Sequence, residues 1–110
     1  MCQLSDHVLL SETETARVSK CKGCGQYVLV YNNLYMSFSR EQMANFTKTL
    51  RDLKPEDFNK DHPSGQEHVL LRNCKAHLGV SFSRLQVDEV LEVIREASLF
   101  EEVFSILYDK

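Results

Sequence analysis

The chain has 110 residues, of which 43% are hydrophobic and 26% are charged, and its formal net charge is −3 at pH 7. A chain of this length and composition is expected to form one globular domain, residues 1–110, with a core large enough to fold without disulfide bonds. The slightly acidic balance argues against a nucleic-acid partner, because such proteins usually carry a basic face. The sequence also has no apolar run long enough to span a membrane.

The first segment, MCQLSDHVLLSETET (1–15), lacks a basic region followed by an apolar run and therefore does not predict a secretory signal peptide. We expect a cytoplasmic protein whose thiols stay reduced, so disulfide bonds are the less favoured fate of its four cysteines. Residues 7–21 read as two strands around a polar turn at 12–14, which predicts an N-terminal strand pair.

Two later segments resemble each other: LYMSFSREQMANFTKTL (34–50) and LGVSFSRLQVDEVLEVI (78–94). In each, apolar residues first alternate with polar ones, as in a strand, and then recur at helical spacing. With the apolar runs that precede them, they predict two pseudo-repeated strand-turn-strand-helix units, a first repeat at 26–53 and a second at 67–97.

The point where each repeat changes from strand to helix carries a capping signal. Ser39 is followed three residues later by Gln42, and Ser83 by Gln86, in the S-x-x-Q order of a capping box. Within the first repeat, Asn32 and Asn33 separate two apolar runs and predict a tight hairpin, because asparagine tolerates positive φ.

Residues 54–66 contain both prolines of the chain and many charged residues, which is typical of a surface linker. Pro55 is placed to open a short helical turn that holds Phe58 against the body. After the second repeat, Ser98 begins another capping signal, which predicts a C-terminal helix at 98–108; one continuous helix bent near Ser98 is the alternative. This segment is too apolar for a free tail, so it should cover the core or meet a partner.

These elements together predict an α+β fold. We expect an antiparallel sheet of about six strands with helices on one face.

The pair Cys21 and Cys24 is the clearest candidate functional feature. Cys-x2-Cys is a metal-binding spacing, because a tight turn aims both sulfurs at one point, about 2.3 Å from a zinc ion. Gly23 and Gly25 permit such a turn, and Lys22 adds nearby positive charge. The motif resembles a zinc knuckle, the turn of zinc-ribbon proteins; the resemblance covers about six residues and implies neither a fold nor an activity.

Structural zinc sites have four ligands, usually cysteine and histidine. Cys2 is the best third ligand, because an antiparallel strand pair brings the start of the first strand close to Cys21. For the fourth we consider Cys74, His7 and His77, of which His7 is nearest in sequence but is expected to point the wrong way along its strand. The expected set is Cys2, Cys21, Cys24 and Cys74.

Two other interpretations of the thiols stay open. A thiol-disulfide oxidoreductase would use Cys21 and Cys24, but in thioredoxin-like motifs the first cysteine opens a helix, and here Gly25 and a strand follow. Alternatively, all four are unreactive free cysteines, a residue type that is often buried.

Two further groups of residues are candidates for binding. Arg40 and Arg84 follow the two caps at matching places and could form a paired anion site, since helix N-termini attract anions. Tyr27, Tyr31 and Tyr35 are expected to line the second face of the sheet, where an uncovered apolar patch would favour a homodimer.

The order of these features, with Met1-Cys2 at the start, then Cys21 and Cys24, a strand pair and an S-x-x-Q helix, resembles a family of small bacterial proteins of uncharacterised function. The resemblance covers most of the first repeat and implies no activity. It implies that Cys2, Cys21 and Cys24 recur together, which would favour a shared site.

The sequence therefore favours a small cytoplasmic domain without catalytic activity. We expect it to hold a structural zinc ion and to act by binding an unknown protein partner or by self-association. The alternatives are the oxidoreductase and a regulatory module that contacts nucleic acid through its zinc knuckle, which the acidic balance disfavours.

Overall fold

The computed structural model describes residues 7–59, 66–73 and 78–108. Four strands form an antiparallel meander in the order β1-β2-β3-β4, and two more form a separate hairpin, β5-β6. The strands are β1 (His7–Glu12), β2 (Ala16–Cys21), β3 (Tyr27–Tyr31), β4 (Leu34–Phe38), β5 (His68–Asn73) and β6 (Leu78–Ser83). The helices are α1 (Arg40–Arg51) and α2 (Arg84–Tyr108), with a short 3₁₀ turn at Pro55–Asp57.

The N-terminal strand pair is confirmed as β1 and β2. The hairpin between β3 and β4 is confirmed as well: Tyr31 pairs with Leu34 across a two-residue turn, and Asn32 has φ +52°. Asparagine is among the few residues that adopt this conformation readily, which explains its place in the turn.

The register of the meander gives it one apolar face. Val18 lies opposite Leu29, which lies opposite Met36. Because side chains two apart on a strand share a face, this row and its neighbours form a continuous surface on which α2 packs. Val18, Leu29 and the helix residue Val90 are at most 1% exposed, so the core lies between α2 and this sheet.

The α+β fold is confirmed, but the expectation of one sheet of six strands is wrong. Among the described residues, β5 pairs with β6 and not with the meander, and its His68 makes one further backbone bridge to Asn59 of the linker. The hairpin packs on the core through Val69 and Phe82, which lie opposite each other and are buried. The ring of Phe82 meets that of Tyr31 edge-on at 6.0 Å between centroids. The hairpin therefore buries its apolar face by side-chain packing and forms no strand pairing with β4 among the described residues.

Both capping boxes are formed. The Ser39 hydroxyl accepts from the Gln42 backbone N–H at 3.1 Å, and the Gln42 side chain accepts from the Ser39 N–H at 2.9 Å. Ser83 and Gln86 make the same two bonds at 3.2 and 2.9 Å. The chain thus passes through strand, strand and helix twice with the same cap; that the two units arose by duplication stays a prediction.

α2 is one continuous helix of 25 residues, so of the two alternatives for Ser98 the chain adopts the uninterrupted one. The helix packs on β1 and β2 and on β6, and the Ser11 hydroxyl donates to the Val93 carbonyl at 2.6 Å. Neither helix, over the residues described, combines the length and the apolar content that crossing a lipid bilayer requires.

The linker behaves as expected where it is described. Pro55 opens the 3₁₀ turn, and Phe58 is half-buried against the core. The guanidinium of Arg84 lies 4.7 Å above the Phe58 ring, which anchors the turn to the start of α2.

Candidate functional site

The bend that carries Cys21 and Cys24 joins β2 to β3. The Cys21 N–H donates to the Gln26 carbonyl and the Gly25 N–H donates to the Cys21 carbonyl, each at 2.8 Å. Gly25 has φ +75°, a conformation that glycine adopts without steric cost. Two backbone hydrogen bonds and strands on both sides make this a well-defined turn.

The two thiols of the bend differ in exposure. Cys21 is 1% exposed, whereas Cys24 is exposed, and neither is in a disulfide. A strand follows the bend, so neither sulfur lies at the N-terminus of a helix, where the helix dipole would lower a thiol pKa. The arrangement offers one anchored sulfur and one accessible sulfur.

Of the other candidate zinc ligands, the structure describes only His7. Cys2, Cys74 and His77 lie outside the described residues. His7, expected to point away, is instead the direct register partner of Cys21, and side chains of such a pair lie on one face with Cβ atoms about 5 Å apart. Within the described part of the chain, no three metal-binding side chains form a cluster.

Tyr27 and Tyr31 do not line the outer face of the sheet, so that expectation is wrong for both. Each is buried and reaches across the core to α2. The Tyr27 hydroxyl donates to Glu101 at 2.7 Å and the Tyr31 hydroxyl to Glu89 at 2.7 Å.

Tyr35 alone of the three is on the open face, with 64% of its surface exposed. Its register explains the difference: Tyr31 pairs with Leu34 across the hairpin, so Tyr35 pairs with Val30 and projects to the opposite side. A sequence pattern read along one strand does not reveal this reversal.

The two tyrosine–glutamate pairs have clear electrostatic consequences. Burial, helped by the bond to Glu89, raises the pKa of Tyr31 to about 12. Burial also raises the pKa of Tyr27, and its partner Glu101 accepts a second bond from Lys20 at 3.2 Å that raises the pKa of the lysine. Both phenols are neutral donors that tie β3 to α2.

The contacts of Arg40 and Arg84 do not favour the predicted anion site shared by these two side chains. Arg84 is held by Glu67, with 3.5 Å between Nε and the carboxylate oxygen, and by its stacking on Phe58. Arg40 is exposed at the first position of α1 and has no ion-pair partner among the described residues.

A cleft of about 730 Å³ lies between α1 and α2. Val18 and Tyr27 form part of its lining from the sheet, and Arg40 and Arg51 belong to its α1 wall. Sequence periodicity did not indicate it, because its lining combines residues of α1, α2 and the sheet that are distant in sequence.

The outer face of α2 changes character along its length. Glu92, Arg95 and Glu96 are exposed in its middle, whereas three large apolar side chains are exposed beyond Ser98. They are Leu99 at 47%, Phe100 at 43% and Val103 at 53%. This stretch was predicted to cover the core or meet a partner, and these three side chains are about half exposed.

Comparison with curated proteins and with solved structures found no match. A family model, by contrast, covers almost the whole sequence and extends well beyond the first repeat, so the likeness is not confined to the cysteine motif. The chain belongs to the family of unknown function DUF6686, whose model matches residues 1–107.

Proposed function

We propose that this chain is a small binding domain without catalytic activity, and that its Cys21–Cys24 bend holds a structural zinc ion. The observation that carries the proposal is the geometry of the bend. Two cysteines with metal-ligand spacing sit in a hydrogen-bonded turn between antiparallel strands, with a positive-φ glycine directly after the second. A reducing, cytoplasmic setting would keep both thiols available to the metal.

The ligand set follows from zinc chemistry. Zinc takes four cysteine or histidine ligands in structural sites, and the thiols bind as thiolates. Cys21 and Cys24 supply two, and we propose Cys2 and Cys74 for the others. His7 is the alternative to one of these because the register places it beside Cys21, although His7, Cys21 and Cys24 do not form a metal-binding cluster as the structure stands.

Bound zinc would supply a cross-link at the end of the sheet where β1, β2 and β3 meet. The protein residues provide the rest: backbone hydrogen bonds hold the bend that carries both cysteines, and the buried position of Cys21 shields its sulfur from exchange with solvent thiols.

Metal analysis of the purified full chain tests the proposal. We expect one zinc per chain, thiols that react only after a chelator is added, and a fall in thermal stability on chelation. Cys24→Ser should abolish zinc binding and, because Cys24 is exposed, should still fold, with the reduced thermal stability of the chelated native chain. Ser19→Ala, a similarly small change in β2, should retain the metal. A metal-free protein with four freely titrating thiols would overturn the proposal.

The oxidoreductase alternative predicts a different result from the same preparation. It requires a reversible Cys21–Cys24 disulfide and a thiol with a pKa well below the usual range near 8.5. The nucleic-acid alternative requires salt-dependent retention of the protein on DNA or RNA. Zinc content, reversible oxidation and nucleic-acid retention therefore separate the three.

For the partner, we propose a second copy of this chain that packs on the exposed side chains Leu99 and Val103 of α2. Leu99 and Val103 are four residues apart and so lie on one side of the helix. An apolar helix face of this kind can be covered by the same face of a second copy in an isologous pair.

Measurement of the molar mass in solution tests this association. We expect a dimer for the native chain and a monomer for Val103→Glu, which places a charge on the apolar face. Glu102→Gln, next to it, should leave the dimer unchanged. A monomeric native chain would contradict the proposal and would leave the zinc proposal standing.

A further inference from the structure

We propose that the cleft between α1 and α2 binds a single-chain anionic amphiphile, a fatty-acid-like carboxylate, with its head at Arg40 and its tail along the apolar interior. This site is separate from the Cys21–Cys24 bend and does not depend on a metal.

The interior of the cleft suits an apolar chain. Val18, Met43, Ile94 and Ala97 form its apolar floor, where each is less than 9% exposed, and the half-buried Leu91 and the exposed Ala44 supply the apolar surface that a ligand chain can contact. The volume of about 730 Å³ falls within the range of small-molecule sites, which are mostly apolar with a few convergent polar groups.

The unpaired charge of the cleft is positive. Of the lining carboxylates, Glu101 is bonded to Lys20 and Tyr27, and Glu92 to Arg95. Among the described residues, the lining groups without an ion-pair partner are two cations and one anion: Arg40, Arg51 and Asp88. A ligand with one negative charge would balance this excess.

Arg40 is the better of the two cations for an anionic head. It lies at the N-terminus of α1, where the positive end of the helix dipole also attracts an anion, whereas Arg51 lies at the C-terminus, where the negative end of the dipole partly neutralises its charge and disfavours an anion. Arg40 also lies near enough to Tyr27 for its charge to lower the pKa of that phenol, which partly offsets the upward shift from burial. The head would therefore sit where a guanidinium and a helix N-terminus act together.

Calorimetric titration with decanoate, decylammonium and decanol below their micelle concentrations tests the proposal on the full chain. We expect decanoate to bind about tenfold or more tightly than the other two, the size of effect of one charge-assisted hydrogen bond. Arg40→Gln should remove that preference. Lys48→Gln, which removes a positive charge from the same helix outside the cleft, should preserve it.

A second pair of variants tests the position of the tail. Ala44 is an exposed residue of the α1 wall, so Ala44→Phe should fill the cleft without disturbing the core and should weaken decanoate binding. Asn45→Phe adds the same ring on α1 outside the lining and should have no effect. Unfolding curves confirm that each variant folds. No decanoate binding, equal binding of all three probes, or equal effects of the two phenylalanine variants would overturn the proposal.

Discussion

At the scale of single residues, two turns depend on backbone conformations that few side chains accept. Gly25 has φ +75° and Asn32 has φ +52°. A Cβ added at Gly25 would meet no described atom within 4 Å. Any loss of unfolding free energy on replacing this glycine therefore measures the cost of the backbone conformation alone and not a steric clash.

We expect Gly25→Ala to lower the free energy of unfolding by about 1–2 kcal/mol, the cost of a left-handed conformation for a residue with a Cβ. Gly25→Asn should cost less, because asparagine tolerates this region. Urea denaturation of metal-free protein measures both. Equal losses for alanine and asparagine would show that the turn does not retain its positive φ.

Ionisation of the Tyr31 phenol makes the free energy of unfolding decrease at alkaline pH. Its pKa is about 12 in the folded chain against an ordinary 10.0, so the folded state favours the protonated phenol. That contribution to stability is fully present below pH 10 and is lost as the pH rises through about 12.

Tyr31→Phe should be less stable at neutral pH by about 1–2 kcal/mol, because the bond to Glu89 is lost. It should lose less stability than the native chain when the pH rises from 10 toward 12. Tyr35→Phe removes an exposed hydroxyl and controls for the loss of a phenol. Unfolding measured at several alkaline pH values gives the slopes; identical slopes for the native chain and Tyr31→Phe would contradict the account.

At the scale of elements, the two helices begin with the same cap but have different support. α1 has 12 residues and buries Met43 and Leu50, whereas α2 has 25 residues and lies against both sheets. A helix with less tertiary packing depends more on its own ends, since short helices are marginal in water.

Loss of either cap should cost about 1 kcal/mol of unfolding free energy. We expect Ser39→Ala also to raise amide hydrogen exchange through the first turn of α1, whereas Ser83→Ala should change exchange less because packing holds the start of α2. Ser81→Ala changes an exposed serine two residues before the second cap and serves as the control. A control loss as large as the two cap losses would contradict the role of the capping boxes.

At the scale of the whole molecule, two sheets share one core because α2 packs against both. Phe82 is 2% exposed and Leu70 is 55% exposed, although both belong to the β5-β6 hairpin. Among the described residues, the hairpin therefore packs on the core through one of its two faces.

Phe82→Ala should lower the unfolding free energy by about 3–5 kcal/mol through lost burial and the cavity left behind. Leu70→Ala, on the other face, should change it by less than about 0.5 kcal/mol. Both variants should still unfold in one transition when followed by circular dichroism and by tyrosine fluorescence. Separate transitions would show that the hairpin melts independently of the meander.

Local patterns were sufficient to predict the strands, the two caps, the hairpin at Asn32 and the bend at Cys21. Each depends on residues within a few positions of one another. The separation into two sheets was not predictable, because no local pattern says whether β5 pairs with β4 or packs through Phe82. The partners of Tyr27 and Tyr31 lie 74 and 58 residues away, and so only the assembled fold identifies them.

The candidate metal site also could be predicted only in part from local sequence patterns. The spacing of Cys21 and Cys24 predicts a turn, and the turn is present. The remaining ligands come from other parts of the chain, so spacing alone cannot select them. The strand register adds His7 beside Cys21, a relation that becomes visible only when β1 and β2 are aligned.

The position of α2 after every other described element has a consequence for synthesis. While a ribosome makes the chain, the meander emerges first, with Leu29 and both core tyrosines still in contact with water. These side chains remain exposed to water until α2 has emerged from the ribosomal exit tunnel. During that interval the nascent chain exposes an apolar sheet face. Chaperones that recognise exposed apolar surface can bind the chain at this stage.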